Sequence, residues 1–363
     1  MTLDPKSIAA LVPQQILDIR AYHVPPAAGL IKLDAMENPY QLPAELKQQW
    51  LTCLSEVEVN RYPDPSCESL KQMIRSALGI GTENGLLLGN GSDELIQMIA
   101  MLIGGPERSM LAPTPTFSMY QLTSVATGSE FTGVPLQADF RINSDSLLDA
   151  IQHCQPACVF LAYPNNPTGN CFDRSVIEKV LEQAPGLVVM DEAYFSFCRR
   201  SFIDYLQRFP DLLIMRTLSK SGMAGLRLGM LIGHSQWIAQ LEKVRLPYNI
   251  NSLTQCSARF YLAHYEVMQN QADRIISQRQ VVFRQLADLP GLQAYPSEAN
   301  FILLRLERDA ERVHDSLKQQ GVLIRNLHRA GSPLENCLRV TIGTESDNSR
   351  FLQALGNSLN EAA

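Results

Sequence analysis

The sequence has no block of like charge, no long apolar stretch and no paired metal-ligand spacing. Charged residues are 19% of the 363, below the usual quarter, and the net charge is -6. That balance argues against nucleic acid or an anionic membrane surface as the main partner. It leaves room for a local basic pocket that takes a small phosphate. No apolar run reaches the roughly 18 residues needed to span a membrane. The first ten residues carry Asp4 and Pro5, and their apolar run Ile8–Val12 is short, so they do not read as a signal peptide. The eight cysteines include no CxxC pair and no cysteine–histidine cluster at zinc spacing. Scattered thiols of this kind read as reduced and mostly buried, as in the cytoplasm. The six histidines show no HExxH and no paired spacing, so no metal is expected.

What is present is a well-filled interior: 45% of the residues are hydrophobic. The length predicts two domains. Residues 1–30, with Pro25-Pro26, read as an irregular arm, and 31–55 as an N-terminal contribution to a smaller domain. Residues 56–260 read as a large α/β domain. There the short apolar runs Ala157–Ala162, Leu187–Met190, Leu212–Met215 and Leu228–Ile232 predict strands buried on both faces of a mostly parallel sheet. Ser92–Ile103 places Leu95, Ile99 and Leu102 on one helical face, with Ser92 as the N-cap. Residues 261–363 read as an interdomain helix and a C-terminal α+β domain. The helix falls within Leu246–Ser277. Strands are predicted at Asn300–Arg305, Val322–Arg325 and Cys337–Ile342, and helices at Asp309–Gln320 and Ser346–Leu359.

In open parallel sheets ligands sit beyond the carboxyl ends of the strands, so the residues following each run matter. After Leu86–Leu88 comes Gly89-Asn-Gly-Ser-Asp93, a glycine turn into a helix. Its N–H groups and helix dipole suit a phosphate, although glycine turns open many helices for structural reasons alone. After Val159–Ala162 comes Tyr163-Pro-Asn-Asn-Pro-Thr-Gly169. After Leu187–Met190 comes Asp191, a carboxylate that is costly beside a buried strand unless paired, or else a helix cap. After Leu212–Met215 comes Arg216-Thr-Leu-Ser-Lys220, with Ser219 and Arg227 on either side of the lysine. A lysine in a dehydrated site has a lowered pKa and a free amine; on a surface it is a solvated cation. A phosphate cradle, an amide, a carboxylate and a lysine are the set that pyridoxal phosphate (PLP) chemistry requires.

Asn166-Pro-Thr-Gly169, Asp191-x-x-Tyr194 and Ser219-Lys220 with Arg227 stand about 25, 29 and 7 residues apart in sequence. Together they resemble the fold-type I PLP aminotransferases of classes I and II. Leu33-Asp-Ala-Met-Glu-Asn-Pro-Tyr40, Arg61-Tyr-Pro-Asp64, Gly89-Asn-Gly-Ser-Asp-Glu94 and Asn336-Cys-Leu-Arg-Val-Thr-Ile-Gly343 are similar to the histidinol-phosphate aminotransferase branch. The resemblance runs from about residue 20 to 355.

It implies a homodimeric enzyme that exchanges amino groups between glutamate and a phosphorylated keto compound in histidine biosynthesis. Lys220 would hold the cofactor covalently and move the proton. Asp191 would pair with the ring nitrogen, and Asn166 and Tyr194 would bond the ring oxygen. Phe117 would stack on the ring, where relatives usually carry tyrosine. Ser92, Asp93, Ser219 and Arg227 would surround the phosphate, with Tyr62 reaching it from the partner chain. Arg339 would bind the glutamate carboxylate, and Arg325, Tyr22 and Asn38 would help hold substrate. An internal salt bridge is the other reading of Arg339. Two other activities use the same scaffold: aromatic amino-acid transamination, and decarboxylation of a phosphorylated amino acid. A PLP-binding regulator would need a DNA-binding segment, and no basic helix-turn-helix is visible.

Overall fold

The computed structural model describes residues 8–19 and 25–361. Tyr22 lies outside the described residues. Two sheets organise the molecule. The larger has seven strands in the order β2-β8-β7-β6-β5-β3-β4. These are β2 (Gly85–Gly89), β3 (Ser109–Thr114), β4 (Glu130–Pro135), β5 (Cys158–Ala162), β6 (Leu187–Asp191), β7 (Leu212–Thr217) and β8 (Gly229–Gly233). Only β8 runs against its neighbours; the other pairings are parallel.

The continuous apolar runs have a direct cause. In β6, Val188 and Met190 enter one core while Leu187 and Val189 enter the core on the opposite face. Val159 and Leu161 of β5 divide from Cys158 and Phe160 in the same way. Helices cover both faces, and each fully buried aliphatic side chain stabilises by roughly 1.5–3 kcal/mol. Strands β3 and β4 interrupt the pattern with Pro113, Gly133 and Pro135. β4 lies at the sheet edge, where proline removes no needed donor.

The smaller sheet has the order β1-β11-β12-β10-β9. Its strands are β1 (Ile31–Leu33), β9 (Leu292–Ala294), β10 (Phe301–Leu306), β11 (Val322–Asn326) and β12 (Cys337–Thr341). The N-terminal strand β1 pairs parallel to β11, whereas the other pairs are antiparallel. Helices Ala310–Gln319 and Glu345–Glu361 pack against it through Val313, Leu317, Phe351 and Leu355. Tyr194 and Phe197, from the segment after β6, sit in this same core and tie the two sheets together. Where one joining helix was expected within Leu246–Ser277, two stand, Ser252–Ala263 and Tyr265–Ala287, separated at His264, and the second continues past Ser277. The second runs from the large-sheet core at Met268 to the small-sheet core at Ile275, Val282 and Leu286. Helix Ala44–Ser55 lies against the first, with the Trp50 indole N–H donating to Ser257 Oγ at 2.9 Å.

The cap of helix Ser92–Ile103 differs from the sequence reading. Gly91 is the N-cap, with φ 86°, and Ser92 is the first helical residue. That positive φ favours glycine, and a Cβ there would also lie 2.5 Å from Arg227 Nη2. Gly229, opposite Gly89 in the ladder, leaves equally little room. A Cβ there would stand 2.6 Å from the Gly91 carbonyl carbon and 2.8 Å from the Ser92 nitrogen, both backbone atoms. Gly229→Ala is therefore expected to destabilise the fold by about 1–3 kcal/mol. Denaturant unfolding checks this; an unchanged midpoint would show that the turn can yield.

Candidate active site

The register of the large sheet sets out the site. Ala162 stands opposite Asp191, and Gly229 stands between Gly89 and Thr217. The carboxyl ends of β2, β5, β6 and β7 therefore meet along one edge. One cavity lies there. Ser92, Asp93, Phe117, Asn166, Asp191, Tyr194, Ser219, Lys220 and Arg227 all line it. Nine side chains singled out in the sequence are thus brought together from five separate segments.

Asp191 is buried at the end of β6. Its Oδ1 accepts the Ala193 N–H at 3.0 Å, and its Oδ2 accepts the Tyr120 hydroxyl at 2.6 Å. Burial dominates: it pushes the carboxyl up to about 6, against the two donated bonds that pull it down, while Asp93 and Glu192 push it further up. Lys220 is shifted the other way. Its amine donates to the Ala35 carbonyl at 3.2 Å, and burial, then the nearby Arg339 charge, lower it to about 8. Near neutral pH the amine is still mostly protonated, but the neutral form that a nucleophile requires is far more accessible than for an exposed lysine.

At the other end of the cavity, Arg227 reaches Asp93 Oδ2 at 2.9 Å. Both side chains are nearly half exposed, so this pair holds geometry more than it stabilises. Ser219 is buried, and its backbone N–H and hydroxyl both lie within bonding reach of Thr217 Oγ1. Arg339 is buried in β12; it donates to the Asn166 side-chain oxygen and, at 2.9 Å, to the Asp34 carbonyl. It stands directly opposite Arg325 in the β11–β12 ladder. Residues opposite each other in an antiparallel pair share a face, and two like charges there cost stability.

Four described residues singled out in the sequence do not line this cavity: Arg339, which meets it through Asn166, Arg325, Asn38 and Tyr62. Asn38 donates to Gln271 Oε1 at 2.9 Å and lines a neighbouring cavity with Tyr40, Trp50, Gly222 and Tyr261. Tyr62 is 81% exposed and stacks on Tyr248 at 4.5 Å.

Residues 28–355 match the family model for aminotransferase class I and II. The chain belongs to that family. It is 49% identical to histidinol-phosphate aminotransferase 2 of Nitrosococcus oceani, over 96% of this chain and 97% of that one. It is 46% identical to histidinol-phosphate aminotransferase of Chromobacterium violaceum, over 96% and 98%. Among solved structures, histidinol-phosphate aminotransferase from Sinorhizobium meliloti, in complex with pyridoxal-5'-phosphate, matches with TM-score 0.86. That match covers 98% of this chain and 99% of the other; at 23% identity it speaks for the shared fold.

For this aminotransferase, sequence reasoning missed Tyr120, Thr217, Ala193 and Met36. The last three line the cavity beside predicted residues. Met36 has φ 56° and takes the Tyr194 hydroxyl on its sulfur at 3.2 Å. Tyr120 was within reach of the sequence, because it lies three residues after Phe117, where helical spacing returns to the same face.

The raised carboxyl gives a pH-dependent test. The folded chain binds the Asp191 proton more tightly than the unfolded chain, so ionising it costs stability as pH rises from about 4 through 6. Asp191→Asn removes that cost. The cofactor-free variant should unfold at higher denaturant than wild type at pH 8, by about 1–3 kcal/mol, with the gap closing toward pH 4. Parallel unfolding curves at the two pH values decide it; a variant less stable at pH 8 would contradict the assigned burial cost.

Proposed function

We propose that this aminotransferase carries PLP and moves an amino group between L-histidinol phosphate and 2-oxoglutarate, yielding imidazole-acetol phosphate and glutamate. The observation that carries the reading is the pairing of one buried amine, Lys220, with one buried carboxylate, Asp191, in a single cavity whose far end holds Arg227 and Ser219. Two relatives above 45% identity named for histidinol phosphate support the substrate.

The cavity fits a flat phosphorylated pyridine. Phe117 supplies an aromatic face, and the Gly91 turn leaves the close approach that a phosphate needs at the start of helix Ser92–Ile103. Ser92, Ser219 and Arg227 would hold the phosphate, with the Asp93 carboxylate held by Arg227. Asp191 would face the ring nitrogen, and Asn166 and Tyr194 the ring oxygen. When bound, PLP supplies an aldehyde carbon that links to amines and a protonated ring that draws off an electron pair. The protein's own part is positional and acid–base. The Lys220 amine would take the proton from the carbon bearing the substrate nitrogen and give it up at the carbon that was the cofactor's aldehyde, so that the nitrogen stays with the cofactor and the substrate leaves as a keto compound after hydrolysis. Arg339 and Arg325 hold an anion: the carboxylate of glutamate in one half of the cycle, the phosphate of histidinol phosphate in the other. A guanidinium fork suits both.

The reading extends to assembly and place. Tyr62, exposed and stacked on Tyr248, would reach the phosphate of a second copy in a homodimer with shared sites. No helix among the described residues is long and apolar enough to cross a membrane. With a net charge of -6 and a small-molecule substrate, the reading is a cytoplasmic enzyme.

The test is the half-reaction. Purified holoenzyme mixed with histidinol phosphate should lose its visible cofactor band, while Lys220→Ala should lose covalent retention after borohydride and turn over at least roughly 10²–10⁴-fold more slowly. Loss of the band with phenylalanine and none with histidinol phosphate would move the assignment to an aromatic aminotransferase. Release of carbon dioxide without a keto product would move it to a decarboxylase.

A further inference from the structure

Tyr120 is a fully buried tyrosine whose hydroxyl meets a carboxylate. It sits in helix Ser118–Ala126, with its ring parallel to Phe160 at 4.6 Å and 7°, and the edge of Phe117 against it at 5.7 Å and 87°. That packing fixes the ring, and phenylalanine would fill the same space. The hydroxyl is the part that packing does not need, and burying one without a partner is costly. Its partner is Asp191 Oδ2 at 2.6 Å. Oδ1 is held by the Ala193 N–H, so each carboxylate oxygen has one donor and the plane of the group is set.

The other groups acting on Asp191 work against its charge. Asp93, from helix Ser92–Ile103, and Glu192, the next residue along, both favour the protonated form. Tyr194 faces Tyr120 from the segment after β6, and Lys220 and Arg227 line the same cavity. The Tyr120 bond and the Ala193 N–H are the donors that favour the ion.

Resting on the reading that this cavity holds PLP, we propose that Tyr120 is a positioning residue that keeps Asp191 ionised and aimed at the ring, and so sets how far toward acid pH the enzyme retains its cofactor. A charge-assisted bond to a buried carboxylate is stronger than a neutral one. Without it, Asp191 protonates at higher pH. Below that point, each further drop of one pH unit weakens a partner that needs the ion by about tenfold.

The experiment measures the PLP dissociation constant from the visible band between pH 5.5 and 8.5 for wild type and Tyr120→Phe. The variant should bind roughly 10–100-fold more weakly near pH 6, and the gap should close toward pH 8.5, where both carboxylates are ionised. Titration of Lys220 is common to both proteins and cancels in the ratio. In an Asp191→Asn background, Tyr120→Phe should change the constant little at any pH. A ratio that stays flat with pH, or a full loss that persists in the Asp191→Asn background, would overturn the proposal and leave Tyr120 as packing. Should Tyr120→Phe melt early, the same titrations are run at a temperature below its melting point; a Tyr120→Phe to wild-type ratio that is flat with pH there overturns the proposal just the same. Wild-type protein that takes up no PLP would overturn the function itself, and that arm is read independently of the variants.

Discussion

A carboxylate at the end of an otherwise apolar strand has to be held charged against its surroundings, and much of this molecule is arranged around that constraint. β6 is buried on both faces, so Asp191 emerges from it into a dehydrated edge where water cannot stabilise the ion. The fold answers with two fixed donors and a cavity open on the third side. Lys220 faces the mirror-image problem from the neighbouring strand, and burial turns it toward the neutral amine. One cause, removal of water from a sheet edge, therefore shifts an acid up and a base down within a single cavity. Groups whose environments push their protonation apart in this way are the usual acid–base machinery of an enzyme.

The sheet makes this arrangement possible because it fixes relative positions before any ligand arrives. The ladder pairs Ala162 with Asp191 and sets Gly229 between Gly89 and Thr217. The reversed strand β8 brings the chain back under the glycine turn, where the tight contact of Gly229 with Gly91 places Arg227 beside Asp93. Loops starting from such an edge need little further ordering to present their side chains together.

Much of this was legible in the amino-acid order, for reasons that vary by element. β5 to β8 declare themselves because both faces are buried and their runs are apolar up to the carboxyl ends, where Asp191 and Arg216 appear. β3 and β4 do not, since Pro113, Gly133 and Pro135 break the pattern, and their strand character comes from neighbours rather than from local preference. The cofactor-side residues were readable because each follows a strand. The opposition of Arg325 and Arg339 was not, because it depends on the register of two strands that are 11 residues apart at their nearest ends, Asn326 and Cys337. Asn38 illustrates the reverse: its motif is recognisable, yet the side chain bonds Gln271 on the long helix and faces an adjoining space. The helix cap moved from Ser92 to Gly91 because the turn there has φ 86°, a backbone conformation that glycine adopts readily and serine does not.

The facing arginines of the smaller sheet have a chemical corollary. A pair of guanidinium groups on one face does not distinguish the organic skeleton attached to an anion, only its charge and spacing. On the proposed role of that pair, selection among metabolites would come from whatever contacts the neutral remainder of the molecule. Inorganic phosphate and sulfate would then compete, and the choice of buffer salt would be a variable in any assay of this protein.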